Sequence, residues 1–145
     1  RILKDPRHGS YGVAALCGSI VLRSVALGSC TPRAMFTAAI AAHCLARASA
    51  LGLMLTTALA RRDGLGAEYV KSLPIGRSIL SLVVAVLIGV AAIGSWAGAA
   101  LGATLISALV TRWWSLHKIG GITGDVLGAV EQVSENLIYV VLSAR

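Results

Sequence analysis

Apolar residues fall in five long blocks along this chain, 11–28, 34–60, 79–96, 98–114 and 126–142, with only isolated polar positions inside each. Each block approaches the roughly 20 residues that an α-helix needs to cross the hydrocarbon of a bilayer. Strands are much shorter than this, so the blocks read as helices. The pattern predicts an all-α fold: a polytopic helical membrane protein with about five transmembrane helices, forming one domain over residues 1–145. Pro32, just ahead of the second block, suits a first helical turn, where its missing N–H leaves no intrahelical bond unmade. The third and fourth blocks meet around Ala97, which requires either a tight hairpin or one long bent helix. Gly94, Gly98 and Gly102 recur every fourth residue through this junction, a spacing that predicts close approach of helix backbones.

Composition agrees with this picture. The chain is 57% apolar and 13% charged, with a mean hydropathy of +0.81, whereas soluble domains carry roughly 25% charged residues. Its net charge of +7 would suggest a nucleic-acid partner in a polar chain. Here the charge is explained by the gathering of Lys and Arg in cytoplasmic loops, and no basic stripe interleaved with stacking aromatics is present. Nucleic acid is therefore excluded as a partner. If all five blocks cross, Arg1, Lys4, Arg7, Arg61, Arg62, Lys71, Arg77, Arg112 and Lys118 share one side. Arg33 and Arg145 fall on the other, and Arg23 and Arg47 lie inside blocks. The richer side is cytoplasmic by the positive-inside rule, which predicts an integral protein of the plasma (inner) membrane. Cys17, Cys30 and Cys44 lack metal or redox spacing and read as small apolar residues. The polar first ten residues show no signal peptide.

Three segments differ from ordinary loops: "DPRHGSYG" from Asp5, "RRDGLGAEY" from Arg61 and "GGITGD" from Gly120. All are glycine-rich, all contain an acid, and the predicted topology puts them at one membrane face. Glycines opening a helix let backbone N–H groups approach an anion, so "GGITGD", with Lys118 upstream, suits a phosphate or pyrophosphate. Asp125 there is either a helix-opening carboxylate favoured by the dipole or a catalytic group. Gly128, Glu131 and Glu135 follow on one helical face, and carboxylates inside a span face protein or water. Asp5, Asp63, Asp125 and Glu131 are hard oxygen donors of the kind that Mg2+ takes together with substrate phosphates. The structural alternative pairs Glu131 or Glu135 with Arg47 and His43, one turn apart in the second block. His8 beside Gly9 is a candidate proton donor or phosphate ligand, while His117 beside Trp113 and Trp114 marks the interfacial belt. No nucleophile elbow occurs; the groups present suit transfer by positioning and charge neutralisation.

With these segments identified, the chain resembles the adenosylcobinamide-GDP ribazoletransferase (cobalamin synthase) family over about residues 4–142. "DPRHGSYG", "RRDGLGA" and above all "GGITGDVLGAVEQVSE" carry the resemblance. It implies a membrane-bound, Mg2+-dependent transferase of cobalamin biosynthesis, joining α-ribazole or its 5'-phosphate to adenosylcobinamide-GDP with release of GMP. It also implies Asp125, Asp63 and His8 as catalytic residues, with Asp125 and Glu131 as metal ligands. Gly9, Arg61, Gly64, Gly66, Lys118, Gly121, Thr123 and Gly124 would bind substrate. The family's acidic N-terminal D-G-x-x-D-type motif is not in this sequence, so the chain is expected to be the C-terminal part of a larger enzyme and inactive alone. A reading from another class is a small transporter or channel subunit, with Arg47, Glu131 and Glu135 as an intramembrane ion path.

Overall fold

The computed structural model describes residues 9–60, 70 and 72–144. It is helical, as the apolar blocks predict. Its long helices are α1 (Ser10–Gly28), α2 (Pro32–Thr56), α3 (Ile75–Ile93), α4 (Ala97–Ile119) and α5 (Gly124–Ser143). Three stretches are long and apolar enough to cross a membrane: Ser10–Gly28, Pro32–Thr56 and the continuous Ile75–Ile119. The chain is thus an integral membrane protein, although α5, with its three carboxylates, does not meet that measure and the expected count of about five is not reached on it.

The stretch Ile75–Ile119 is a hairpin. Gly94 adopts φ 57° and ψ −120°, a combination that a side chain disfavours, and a short 3₁₀ turn, Gly94–Trp96, reverses the chain. Contacts to α2 establish the reversal. On α3, Gly89 faces Leu45 and Leu82 faces Gly52, so α3 runs against α2. On α4, Arg112 donates to the Thr56 carbonyl at 3.3 Å, and Ala100 packs with the Ala38–Ala42 region, so α4 runs with α2.

The predicted close approach through Gly94, Gly98 and Gly102 does not occur: a Cβ on any of them would meet nothing within 4 Å. The contact falls at Gly89 instead, where a Cβ would come within 2.8 Å of Leu45 Cγ. Spacing of small residues identifies a smooth helix face, but not whether a neighbour lies against it.

Helix α2 is the centre of the bundle. Ala38, Ala41, Ala42, Leu45, Ala46, Ala50 and Leu53 are all buried, and alanines of this kind let α3 and α5 approach its backbone. A hydroxyl relay joins α2, α4 and α5: Ser134 Oγ donates to Ser107 Oγ at 3.1 Å and lies 3.4 Å from Ser49 Oγ. Outward faces carry large apolar side chains, among them Leu16, Val25, Leu80, Leu87 and Ile106, as lipid contact requires.

Helix α1 runs parallel to α5. Ser19 and Arg23 meet Gln132, Glu135 and Asn136, and Ala26 further on clusters with Tyr139 and Leu142. One end of the bundle therefore gathers the start of α1, the end of α2, the start of α3 and the α4–α5 turn. Exposed Tyr11, Trp113 and Trp114 lie at that end, where interfacial aromatics belong, and His117 stacks 4.8 Å from the Trp113 ring.

Candidate functional site

The α4–α5 turn is built by glycine chemistry. Gly120, at φ 73°, ends α4 in the left-handed conformation and donates to Leu116 O, a cap that favours glycine. Next to it, Gly121 lies against the backbone beyond α2: a Cβ there would stand 2.5 Å from Ala58 O and 2.6 Å from Ala60 N. Ile122, fully buried, then donates to Ala58 O and accepts from Ala60 N, both at 2.9 Å. These bonds join Leu59 and Ile122 in a short parallel bridge. They explain why α2 stops at Thr56 although the apolar block runs on to Ala60: residues 58–60 are apolar but extended.

Thr123 opens α5, its Oγ1 accepting from Val126 N at 3.4 Å, which is the geometry of a helix N-cap. Asp125 follows in the first turn, exposed. Lys118 and Asp125 line a common depression of about 340 Å³ with Trp114, Ser115 and Val126. The turn thus sets the Gly124 and Asp125 N–H groups of a helix N-terminus near Lys118 and the Asp125 carboxylate at the aromatic boundary of the bundle, beside a depression whose own surface is apolar. A helix N-terminus with a neighbouring cation can hold a phosphate-bearing ligand.

Of the residues anticipated from sequence, Lys118, Gly121, Thr123, Gly124 and Asp125 come together here. Gly9 precedes α1 at the same end of the bundle, exposed. His8, Arg61, Asp63, Gly64 and Gly66 lie outside the described residues, as does Asp5; Ala60, bonded to Ile122, immediately precedes Arg61 in sequence. Glu131 is half-buried further along α5, with no ion pair or hydrogen bond among the described residues. It lies six positions beyond Asp125, about 9 Å along the helix axis. No group of three or more His, Cys, Asp or Glu side chains able to hold a metal occurs among the described residues.

A second polar cluster lies deeper. Glu135, 3% exposed, has Arg23 Nη1 at 2.9 Å from Oε2 and His43 Nδ1 at 3.0 Å from Oε1. The Arg23 approach meets the distance of an ion pair but is not aligned as a hydrogen bond, since Oε2 is left without one. Arg23 also donates to Gln132 Oε1 at 2.6 Å and Asn136 Oδ1 at 2.9 Å. His43 is thus the partner of Glu135 that its position suggested, but Arg47 is not: it is exposed and pairs with neither Glu131 nor Glu135. Sequence reasoning missed Arg23 as the partner because it lies on α1, and the register between separate helices leaves no local signature.

The fold and the glycine turn define a class: a helical membrane protein with a glycine-built turn at one end and, further along α5, a buried glutamate met by a half-buried arginine and an exposed histidine. Residues 1–143 match the family described as cobalamin-5-phosphate synthase, and the chain belongs to that family. It is 40% identical over 99% of its length to an adenosylcobinamide-GDP ribazoletransferase of Bradyrhizobium diazoefficiens, covering 55% of that protein. Proteins of the same description from Shewanella woodyi and Leptothrix cholodnii are 31% and 34% identical over 98% and 96% of the chain, which covers 57% and 56% of them. The chain therefore spans a little over half the length of these relatives. No solved structure matches it.

Proposed function

We propose that this chain supplies the nucleotide-handling face of a cobalamin synthase, an adenosylcobinamide-GDP ribazoletransferase. The reaction joins α-ribazole or its 5'-phosphate to adenosylcobinamide-GDP and releases GMP, at the cytoplasmic face of the plasma (inner) membrane. Family membership supports the reaction. The observation that carries the assignment of the site is the backbone bridge at Ile122, which holds "GGITGD" against the residues leading into "RRDGLGAEY". Both glycine-acid segments then serve one ligand.

In this reading the N–H groups at the start of α5 and the Lys118 ammonium hold the pyrophosphate of the GDP moiety, the first through the helix dipole and the second as a mobile countercharge. Asp125, exposed in the first turn, has the chemistry to hold Mg2+ jointly with substrate phosphates. Bound Mg2+ would neutralise charge on the leaving nucleotide. Asp63, Arg61, Gly64, Gly66, His8 and Gly9 complete the substrate surface, with Asp63 and His8 in proton and phosphate handling. Glu131, half-buried further along α5, is the second carboxylate that the resemblance offers to the metal. Family membership favours the transferase over the transporter reading, in which Arg47, Glu131 and Glu135 would form an ion path.

The test uses a chimaera in which this chain replaces the matching part of the Bradyrhizobium relative. Asp125→Asn is expected to lower Mg2+-dependent product formation about a hundredfold or more, with membrane insertion intact. Unchanged turnover removes Asp125 from the chemistry.

A further inference from the structure

On the opposite side of α2 from the Arg23 cluster, the diverging arms of the α3–α4 hairpin leave a groove of about 310 Å³. Its floor is the α2 face of Leu45, Ala48, Ser49, Gly52, Leu53 and Thr56; Leu82 and Val86 form one wall, and α4 from Leu101 to Arg112 the other. The hydroxyls along it are already used: Ser49, Thr56 and Thr104 each donate to a carbonyl of their own helix. The groove therefore presents no free donor until its last turn. There Arg112, which lines the groove, spends one N–H on the Thr56 carbonyl; among the described residues its guanidinium makes no other hydrogen bond, its Nε being shut away from solvent.

We propose that this groove is a binding site for an anionic phospholipid, one acyl chain lying between α2, α3 and α4 and the phosphate seated on the Arg112 guanidinium. Three observations select this occupant. Leu45 to Thr56 spans about 16 Å along the α2 axis, matching the ~15 Å of one leaflet's hydrocarbon. Arg112 adjoins exposed Trp113 and Trp114, which puts its guanidinium at headgroup depth. A guanidinium that spends a single hydrogen bond on the protein keeps N–H groups for phosphate oxygens, and basic pockets between helices on the cytoplasmic side are where acidic headgroups bind. The site is separate from the Gly120–Asp125 turn and does not depend on the reading of that turn.

The test is native mass spectrometry of the 145-residue chain in detergent, offered phosphatidylglycerol, phosphatidylcholine with the same chains, or inorganic phosphate. The wild type is expected to retain phosphatidylglycerol about tenfold better than phosphatidylcholine, as one charge-assisted contact would give. Arg112→Gln should erase that preference, and Arg112→Lys should restore part of it. Ala108→Trp and Gly52→Leu, which fill the groove from its α4 wall and from its floor, should abolish retention of both lipids, and whichever keeps wild-type helicity by circular dichroism decides the point. Inorganic phosphate should not displace the lipid. Equal retention by the wild type and Arg112→Gln, undiminished retention in a folded groove-filling variant, or displacement by phosphate alone would each overturn the proposal.

Discussion

At Gly121 a methyl group would press on Ala58 O and Ala60 N, backbone atoms that cannot retreat without breaking both hydrogen bonds to Ile122. Gly121→Ala is therefore expected to destabilise the bundle by about 2–4 kcal/mol and to speed hydrogen exchange at the Ile122 and Ala60 amides. Gly124→Ala, three residues on in open space, should leave both unchanged, so the pair separates contact from composition. The buried cluster makes a second expectation. Arg23→Leu leaves Glu135 with only His43 and should lower stability by about 3–5 kcal/mol, whereas Arg23→Leu with Glu135→Leu should recover most of it; thermal unfolding in detergent measures both. Lys118 to Asp125 could be read from sequence because covalent neighbours in a tight turn stay neighbours in space. The pairing of Arg23 with Glu135 bridges 112 residues and depends on a helix register that no local pattern records.

Among the elements, the α3–α4 hairpin depends on one glycine. Gly94 takes φ 57° and ψ −120°, so Gly94→Ala should cost about 1–3 kcal/mol. Gly98→Ala and Gly102→Ala, both in α4 with open space around them, should be neutral or mildly stabilising because alanine favours helix; unfolding midpoints of the three variants check this. Existence of the helices was legible because long apolar runs in a membrane protein have few alternatives. Their ends were less so. Helix α4 continues through the polar "SLHKI" to its glycine cap, and the end of the second block is extended because its backbone finds partners in another loop. Hydropathy registers neither fact, since it weighs side chains and not backbone hydrogen bonds.

Across the whole molecule, the parallel α1–α5 pair and the α2–α3–α4 arrangement place Ser10, Thr57 and Lys118 at one end and Thr31 and Ser95 at the other. With Cys17, Cys30 and Cys44 replaced, single cysteines at Ser10 and Lys118 should react with an impermeant thiol reagent from one side of sealed vesicles, and those at Thr31 and Ser95 from the opposite side. Labelling of Ser10 and Lys118 from different sides would contradict the arrangement. That Gly9, Ala60 and the Gly120–Asp125 turn share one end was legible from alternation of spans alone, because counting crossings needs no knowledge of how helices pack. The groove beside Arg112 was not, because it exists only where two arms diverge. Helix α5 follows its four neighbours in sequence yet carries Asp125, Glu131 and Glu135, and it is the one long helix outside the stretches apolar enough to cross a membrane. Within a bilayer Glu135 meets its partners only where Arg23 of α1 and His43 of α2 are already in place, so the order of these helices along the chain is also an order of assembly, with α1 and α2 preceding α5.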